Sequence, residues 1–212
     1  AFVGLADDPE KQRRLPFFVQ LSNFRHMILC GNSGTGKSTF IRTMLYSLVQ
    51  RYSPDEIWYY ILDLSGGALN AFKALPHCGC YLTDDDETDF QRLIGMIKVI
   101  ANERKKLFKE NDVTNFEAYR QNKKLPHILL IIDGYTNITG FETGSSFNLA
   151  IHELLRDTAP LGIHFIFTIN HLNELSAKGR MEVDYRVTLQ AKDKYDYGEI
   201  LGTRVNRLPT MM

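Results

Sequence analysis

Short apolar runs alternate with longer stretches of helical period along this chain. His26–Cys30, Ile57–Leu62, His127–Ile132 and Gly162–Ile169 are strand-length runs dominated by Ile, Leu and Phe, the pattern of strands buried on both faces. Phe17–Leu21 reads as a lead-in strand and Tyr185–Gln190 as a final one. Lys37–Arg51, Asp84–Glu110, Phe147–Asp157 and Tyr195–Leu201 read as helices. The clearest periodicity belongs to the second of these. Phe90, Leu93, Ile94, Ile97, Ile100, Ala101, Leu107 and Phe108 recur at three- and four-residue steps and form one apolar stripe. Thr83-Asp84 is expected to cap this helix, with Asp85, Asp86 and Glu87 where its dipole favours acids. Arg104 interrupts the stripe and is read as a snorkelling side chain with its head in water. Buried strands alternating with helices predict an α/β fold, with a mostly parallel central sheet and helices on both faces. The pattern reads as one domain over residues 1–212.

Composition narrows the function. The 212 residues carry 25 Lys+Arg against 25 Asp+Glu, for no net charge, and no helix or strand shows a basic stripe. A protein that grips phosphate backbones generally has one or the other. No apolar run approaches the ~18 residues of a membrane span. Ala1–Glu10 lacks the features of a secretory leader and resembles a cut inside a longer chain. Cys30, Cys78 and Cys80 are an odd number without a CxxC pair, which favours a reducing compartment. His77-Cys78-Gly79-Cys80 lacks the second ligand pair that structural zinc requires, so the thiols read as buried or incidental.

Chemistry enters at Gly31-Asn32-Ser33-Gly34-Thr35-Gly36-Lys37-Ser38. The segment fits G-x-x-x-x-G-K-[ST] and lies between an apolar strand and a helix that opens with Lys37-Ser38-Thr39. Glycines let backbone N–H groups turn toward phosphates, and the helix N-terminus adds partial positive charge. Lys37 is placed to reach the β- and γ-phosphates of ATP, and the Ser38 hydroxyl to ligate Mg²⁺. A second Mg²⁺ ligand is expected at the end of a buried strand. Asp133, after His127–Ile132, fits better than its competitor Asp63, because its strand is more uniformly apolar. At least one further strand then separates the two motifs, as in the RecA-like class of P-loop NTPases. That class commonly carries a catalytic glutamate directly after the aspartate; here the residue is Gly134, and nothing places the nearby Glu142 at the phosphates. Loss of a general base costs about 10²–10⁴ in rate, so the site reads as built to bind nucleotide and poor at cleaving it. Restoring the carboxylate as Gly134→Glu is informative only where the backbone at 134 accepts a side chain. Asn170, at the end of Gly162–Ile169, suits a sensor of the γ-phosphate; an ordinary strand-end turn residue is the plain alternative.

Six ordered blocks carry a more specific resemblance: Gly4–Gln12, the glycine-rich loop, Ile61–Gly67 with Leu75–His77, Asn102–Arg104, Ile132–Tyr135 and Gly162–Asn170. Together they resemble the FtsK/SpoIIIE-type ATPase modules of type VII secretion motors, the EssC/EccC family. The resemblance implies a membrane-anchored motor with several such modules in tandem on the cytoplasmic side, exporting small helical WXG100-type proteins. It also implies neighbouring modules as partners, an oligomeric ring and, for this piece, a membrane link only through segments outside it. The Asp-Gly pair at 133–134 and the Gly4–Gln12 lead-in are most similar to the second, middle module. DNA translocases of the FtsK type differ in two places: they keep the glutamate after Asp133, and their sensor stretch ends in Gln-Arg-Pro where this chain has Asn170-His171-Leu172. A DNA translocase is therefore the weaker alternative, and a module that binds ATP as a structural or regulatory joint, without turnover, is the other. Arg180 and Arg186 are candidates for arginine fingers acting in trans, with surface solvation an equal explanation.

Overall fold

The computed structural model describes residues 1–8, 11–23, 25–141, 144–191 and 194–202. Its centre is a six-stranded sheet of β3 (Met27–Cys30), β4 (Ile57–Asp63), β5 (Cys78–Leu82), β6 (His127–Asp133), β7 (Ile163–Ile169) and β8 (Tyr185–Thr188). The spatial order is β5-β4-β6-β7-β3-β8, and every pairing is parallel. One strand, β7, therefore separates β3 from β6, so the glycine-rich loop and Asp133 flank the end of β7.

The strands are apolar without alternation because both faces are covered. On one side Met27, Leu29, Tyr59, Ile61, Leu129 and Ile131 pack with Ile41, Met44, Leu45 and Leu48 of α1 (Lys37–Arg51). On the other, Ile28, Leu62, Leu130, Ile132 and Phe167 pack with α2 (Glu87–Glu110) and α4 (Gly144–Thr158). The shorter α3 (Phe116–Arg120), α5 (Ala177–Glu182) and α6 (Lys194–Leu201) complete the helices among the described residues.

Several expectations are corrected. Phe17–Leu21 is not a strand. The strand β2 runs Arg13–Phe18 and pairs antiparallel with β1 (Phe2–Asp8) in a separate two-stranded sheet, and Leu21–Asn23 is a 3₁₀ turn. Pro9 and Glu10 of the lead-in lie outside the described residues. The strand β5 was not expected, because Cys78-Gly79-Cys80 carries no apolar pattern and lies at a sheet edge. The helix α2 begins at Glu87 rather than Asp84: Asp86 is the N-cap residue, and its carboxylate accepts from the N–H and hydroxyl of Thr83. Arg104 does not snorkel. It is 4% exposed, donates to the carbonyls of Leu161 (2.6 Å) and Pro126 (2.7 Å), and lies over the Phe116 ring. Burial lowers its pKa to about 10.

Candidate functional site

Parallel strands leave their C-terminal ends on one edge, and a crevice forms there between loops. A cavity of about 560 Å³ on this edge is lined by Ser33, Gly34, Gly36, Lys37, Ser38 and Thr39 from the glycine-rich loop and α1. Ser65, Gly134, Thr136, Asn137, Thr168 and Asn170 close its other side. The loop is tied down at its start: Gly31 N–H donates to Ile169 O (3.2 Å) and Asn32 N–H to Gln190 O (2.8 Å). Thr35 closes it on itself by donating to Asn32 O at 2.8 Å. At φ 99°, Gly36 enters α1 in a left-handed conformation that a side chain would strain. Among the described residues no side chain caps α1, and no acid occupies its first turn. Backbone donors at the helix start are thereby left for an anion.

Lys37 Nζ donates to Gly31 O (2.7 Å), Asn32 O (2.9 Å) and Asn170 Oδ1 (2.9 Å). These contacts bring the loop lysine and the strand-end asparagine together. Partial burial lowers the Lys37 pKa. Cys30, just ahead of the loop, donates to Asn170 O at 3.3 Å, and burial pushes its thiol up to about 11. It is a buried thiol held in its protonated form.

Asp63 and Asp133 face each other across paired positions of β4 and β6, yet their surroundings differ. The Asp63 carboxylate accepts from Ser65, Gly67 and Leu69 N–H and from the Tyr81 hydroxyl. It shapes the Ser65-Gly66-Gly67 turn, and both its oxygens are engaged. Asp133 is fully buried; Oδ1 accepts from Thr168 Oγ1 at 2.5 Å, and Oδ2 has no partner among the described residues. Burial raises its pKa, and the Thr168 and Ser38 hydroxyls pull it back. A carboxylate oxygen left open beside a serine hydroxyl fits the donor set of Mg²⁺. The aspartate preferred from sequence is thus the one with a free oxygen.

Gly134 has φ 86° and donates its N–H to Thr168 Oγ1 at 2.7 Å. A Cβ there would lie 2.5 Å from Ser65 Oγ and 3.2 Å from the Leu64 backbone. The left-handed backbone and these contacts therefore strain the side chain that Gly134→Glu would introduce. Glu142 lies outside the described residues. The arginines considered as fingers are engaged within the chain: Arg180 pairs with Glu199 at 3.3 Å, and Arg186 donates to the carbonyls of Ile200 and Arg180. His77 Nε2 hydrogen-bonds Tyr52 O at 2.7 Å, and no metal-holding cluster of His, Cys, Asp or Glu occurs among the described residues.

Sequence reasoning missed Thr168, Thr136 and Glu174. The signal for Thr168 is a lone hydroxyl near the end of Ile163–Ile169, a strand whose other polar residue, His164, stands at its start. Glu174 stands three residues after His171, and the two form a reciprocal capping box around the turn 172–174.

A parallel sheet with a glycine-rich loop at its C-terminal edge, flanked by one intervening strand and an aspartate, defines an α/β fold of the P-loop NTPase kind. The chain belongs to the FtsK/SpoIIIE family, whose model matches residues 5–196. It is 32% identical over 173 residues to the ESX secretion system protein EccC of Geobacillus thermodenitrificans, covering 81% of this chain and 12% of that relative. Among solved structures, EssC (ATPases 2 and 3) from Geobacillus thermodenitrificans superposes with TM-score 0.87 at 28% identity, covering 99% of this chain and 40% of that one. Thermomonospora curvata EccC (ATPases 2 and 3), in complex with a signal sequence peptide, gives 0.85 at 27% identity, covering 98% and 39%. The chain therefore spans only a small part of the secretion proteins to which it is homologous.

Proposed function

We propose that this chain is an ATP-binding module of a type VII protein secretion motor that turns ATP over slowly in isolation. The observation that carries this is one cavity lined by Lys37 and the uncapped start of α1, with the buried Asp133 carboxylate hydrogen-bonded to Thr168 of its wall. Gly31–Thr39 would hold the phosphates through backbone N–H groups and Lys37. Ser38 and Asp133 would hold Mg²⁺, which would neutralise phosphate charge when bound. Asn170 would contact the γ-phosphate or its water. The group such a site lacks is a carboxylate after Asp133, and the geometry at Gly134 gives that lack a steric basis. The same geometry favours a second reading, in which the module is a structural or regulatory nucleotide joint without turnover.

The wider setting follows the relatives. We infer a place as the second, middle module of a membrane-anchored motor at the cytoplasmic face. There it would work with neighbouring modules in a ring on the export of small helical WXG100-type proteins. Two supports are the similarity to chains holding ATPases 2 and 3 and the signal sequence peptide bound to one of them. Titration with a fluorescent ATP analogue in Mg²⁺ tests the binding site. Lys37→Ala should weaken affinity by at least about tenfold, because a charge-assisted contact is worth about 1.5–3 kcal/mol. Equal affinities for the two proteins would refute the assignment.

A further inference from the structure

Beside the loop, three hydrogen-bond donors from two different elements converge on one carboxylate that has no part in the phosphate or Mg²⁺ contacts. Glu174 accepts from the N–H of Asn170 (3.1 Å), the N–H of His171 (2.9 Å) and the Thr136 hydroxyl. Thr136 follows β6 and Asn170 follows β7, so Glu174 ties together the ends of the strands that bound the far side of the cavity. Thr136 donates its only hydroxyl proton to Glu174 and keeps its lone pairs as acceptors. One of them meets Asn170 Nδ2 at 3.4 Å, while Asn170 Oδ1 accepts from Lys37 at 2.9 Å. The carboxamide of Asn170 is thereby fixed in orientation from both ends, with Lys37 on one side and the Thr136–Glu174 pair on the other.

We propose that Glu174 is a positioning residue for γ-phosphate recognition, acting through Thr136 and Asn170. Its acceptor-only carboxylate sets the direction of the Thr136 hydroxyl and of the Asn170 amide, so that the Asn170 side chain meets the terminal phosphate in one orientation. Glutamine cannot reproduce this: its oxygen can serve the backbone N–H donors, but its NH₂ then faces Thr136 as a donor, and the hydroxyl proton loses the acceptor that sets its direction. Diphosphate and triphosphate differ only in the group these residues address. Glu174 therefore governs discrimination between the two nucleotides rather than nucleotide binding in general. This rests on the reading that the Gly31–Ser38 loop binds nucleotide.

The test is competition of ATPγS and of ADP against a fluorescent ADP analogue, with no turnover required. It would compare wild type, Glu174→Gln, Thr136→Val and Thr136→Ser. Wild type should prefer ATPγS. In Glu174→Gln and Thr136→Val the affinity for ATPγS should fall about tenfold more than that for ADP, the worth of one oriented hydrogen bond. Thr136→Ser, which keeps the hydroxyl, should retain the preference. A Glu174 that merely caps the turn would lower both affinities together, alongside the melting temperature. That result, or a wild type that binds both nucleotides without preference, overturns the inference while leaving the binding site in place. Should Glu174→Gln fail to fold, Thr136→Val carries the same comparison. Failure of wild type to bind either nucleotide removes the functional reading and this inference with it.

Discussion

At Gly134 the backbone itself selects against a side chain. Its φ is 86°, and an added Cβ would approach Ser65 Oγ to 2.5 Å. Gly134→Ala is therefore strained twice, by backbone conformation and by contact. We expect a loss of at least about 1–3 kcal/mol in urea unfolding. Gly134→Glu should lose as much, and its phosphate release would then report misfolding rather than chemistry. A Gly134→Ala protein as stable as wild type would show that the segment relaxes freely. The pair Asp63 and Asp133 makes a related point. Both end apolar strands and are nearly or fully buried, and what distinguishes them is whether other donors already claim their oxygens.

Among the helices and strands, α2 is where a local pattern reads well and its exception does not. The stripe Phe90, Leu93, Ile94, Ile97, Ala101 and Phe108 is buried as expected. Arg104 shares that face and stays buried because the carbonyls of Pro126, Leu161 and Gly162 point at its guanidinium from two loops. Such partners come from distant sequence, so a local period cannot reveal them. The same reason hid β5, whose pairing with β4 rather than its own pattern makes it a strand. It also hid the β1–β2 hairpin, whose second strand is largely exposed. The buried parallel strands and the glycine-rich loop were legible because their chemistry is local; the Thr136–Glu174 link spans two elements and was not. Arg104→Leu should cost more than about 2 kcal/mol in chemical denaturation, since it strands buried acceptors. Arg104→Lys should recover only part of this, having no planar fork. Native stability in Arg104→Leu would show that those carbonyls find other donors.

Two properties of the chain taken as a unit make checkable demands. Zero net charge predicts no salt-sensitive complex with long duplex DNA in a gel-shift titration. Tight binding with a steep salt dependence would revive the translocase alternative. Stability should also fall in acid. His26 donates from Nε2 to Leu155 O and accepts at Nδ1 from Phe165 N–H, an arrangement only the neutral ring can make. Burial holds His26 and His127 down to about 3 and lowers His164 as well. The unfolded chain binds these protons near pH 6.5, so for His26 and His127 it takes up, between about 6.5 and 3, protons that the folded state refuses. Each histidine then removes up to about 1.4 kcal/mol of stability per pH unit of acidification. Urea midpoints at pH 7, 6 and 5 should decline, and His127→Phe should flatten the decline. A flat profile would contradict the neutral buried cluster.

The proposed function stands on one claim: that this module holds Mg-ATP and cleaves it slowly. To measure both at once, radiolabelled ATP and Mg²⁺ are mixed with excess protein, the complex is isolated, and the bound nucleotide is followed over time. Near-stoichiometric nucleotide should persist as ATP, with conversion to ADP well below the ~10 s⁻¹ of a median enzyme. Absence of bound nucleotide, or cleavage at that median rate, would contradict the reading.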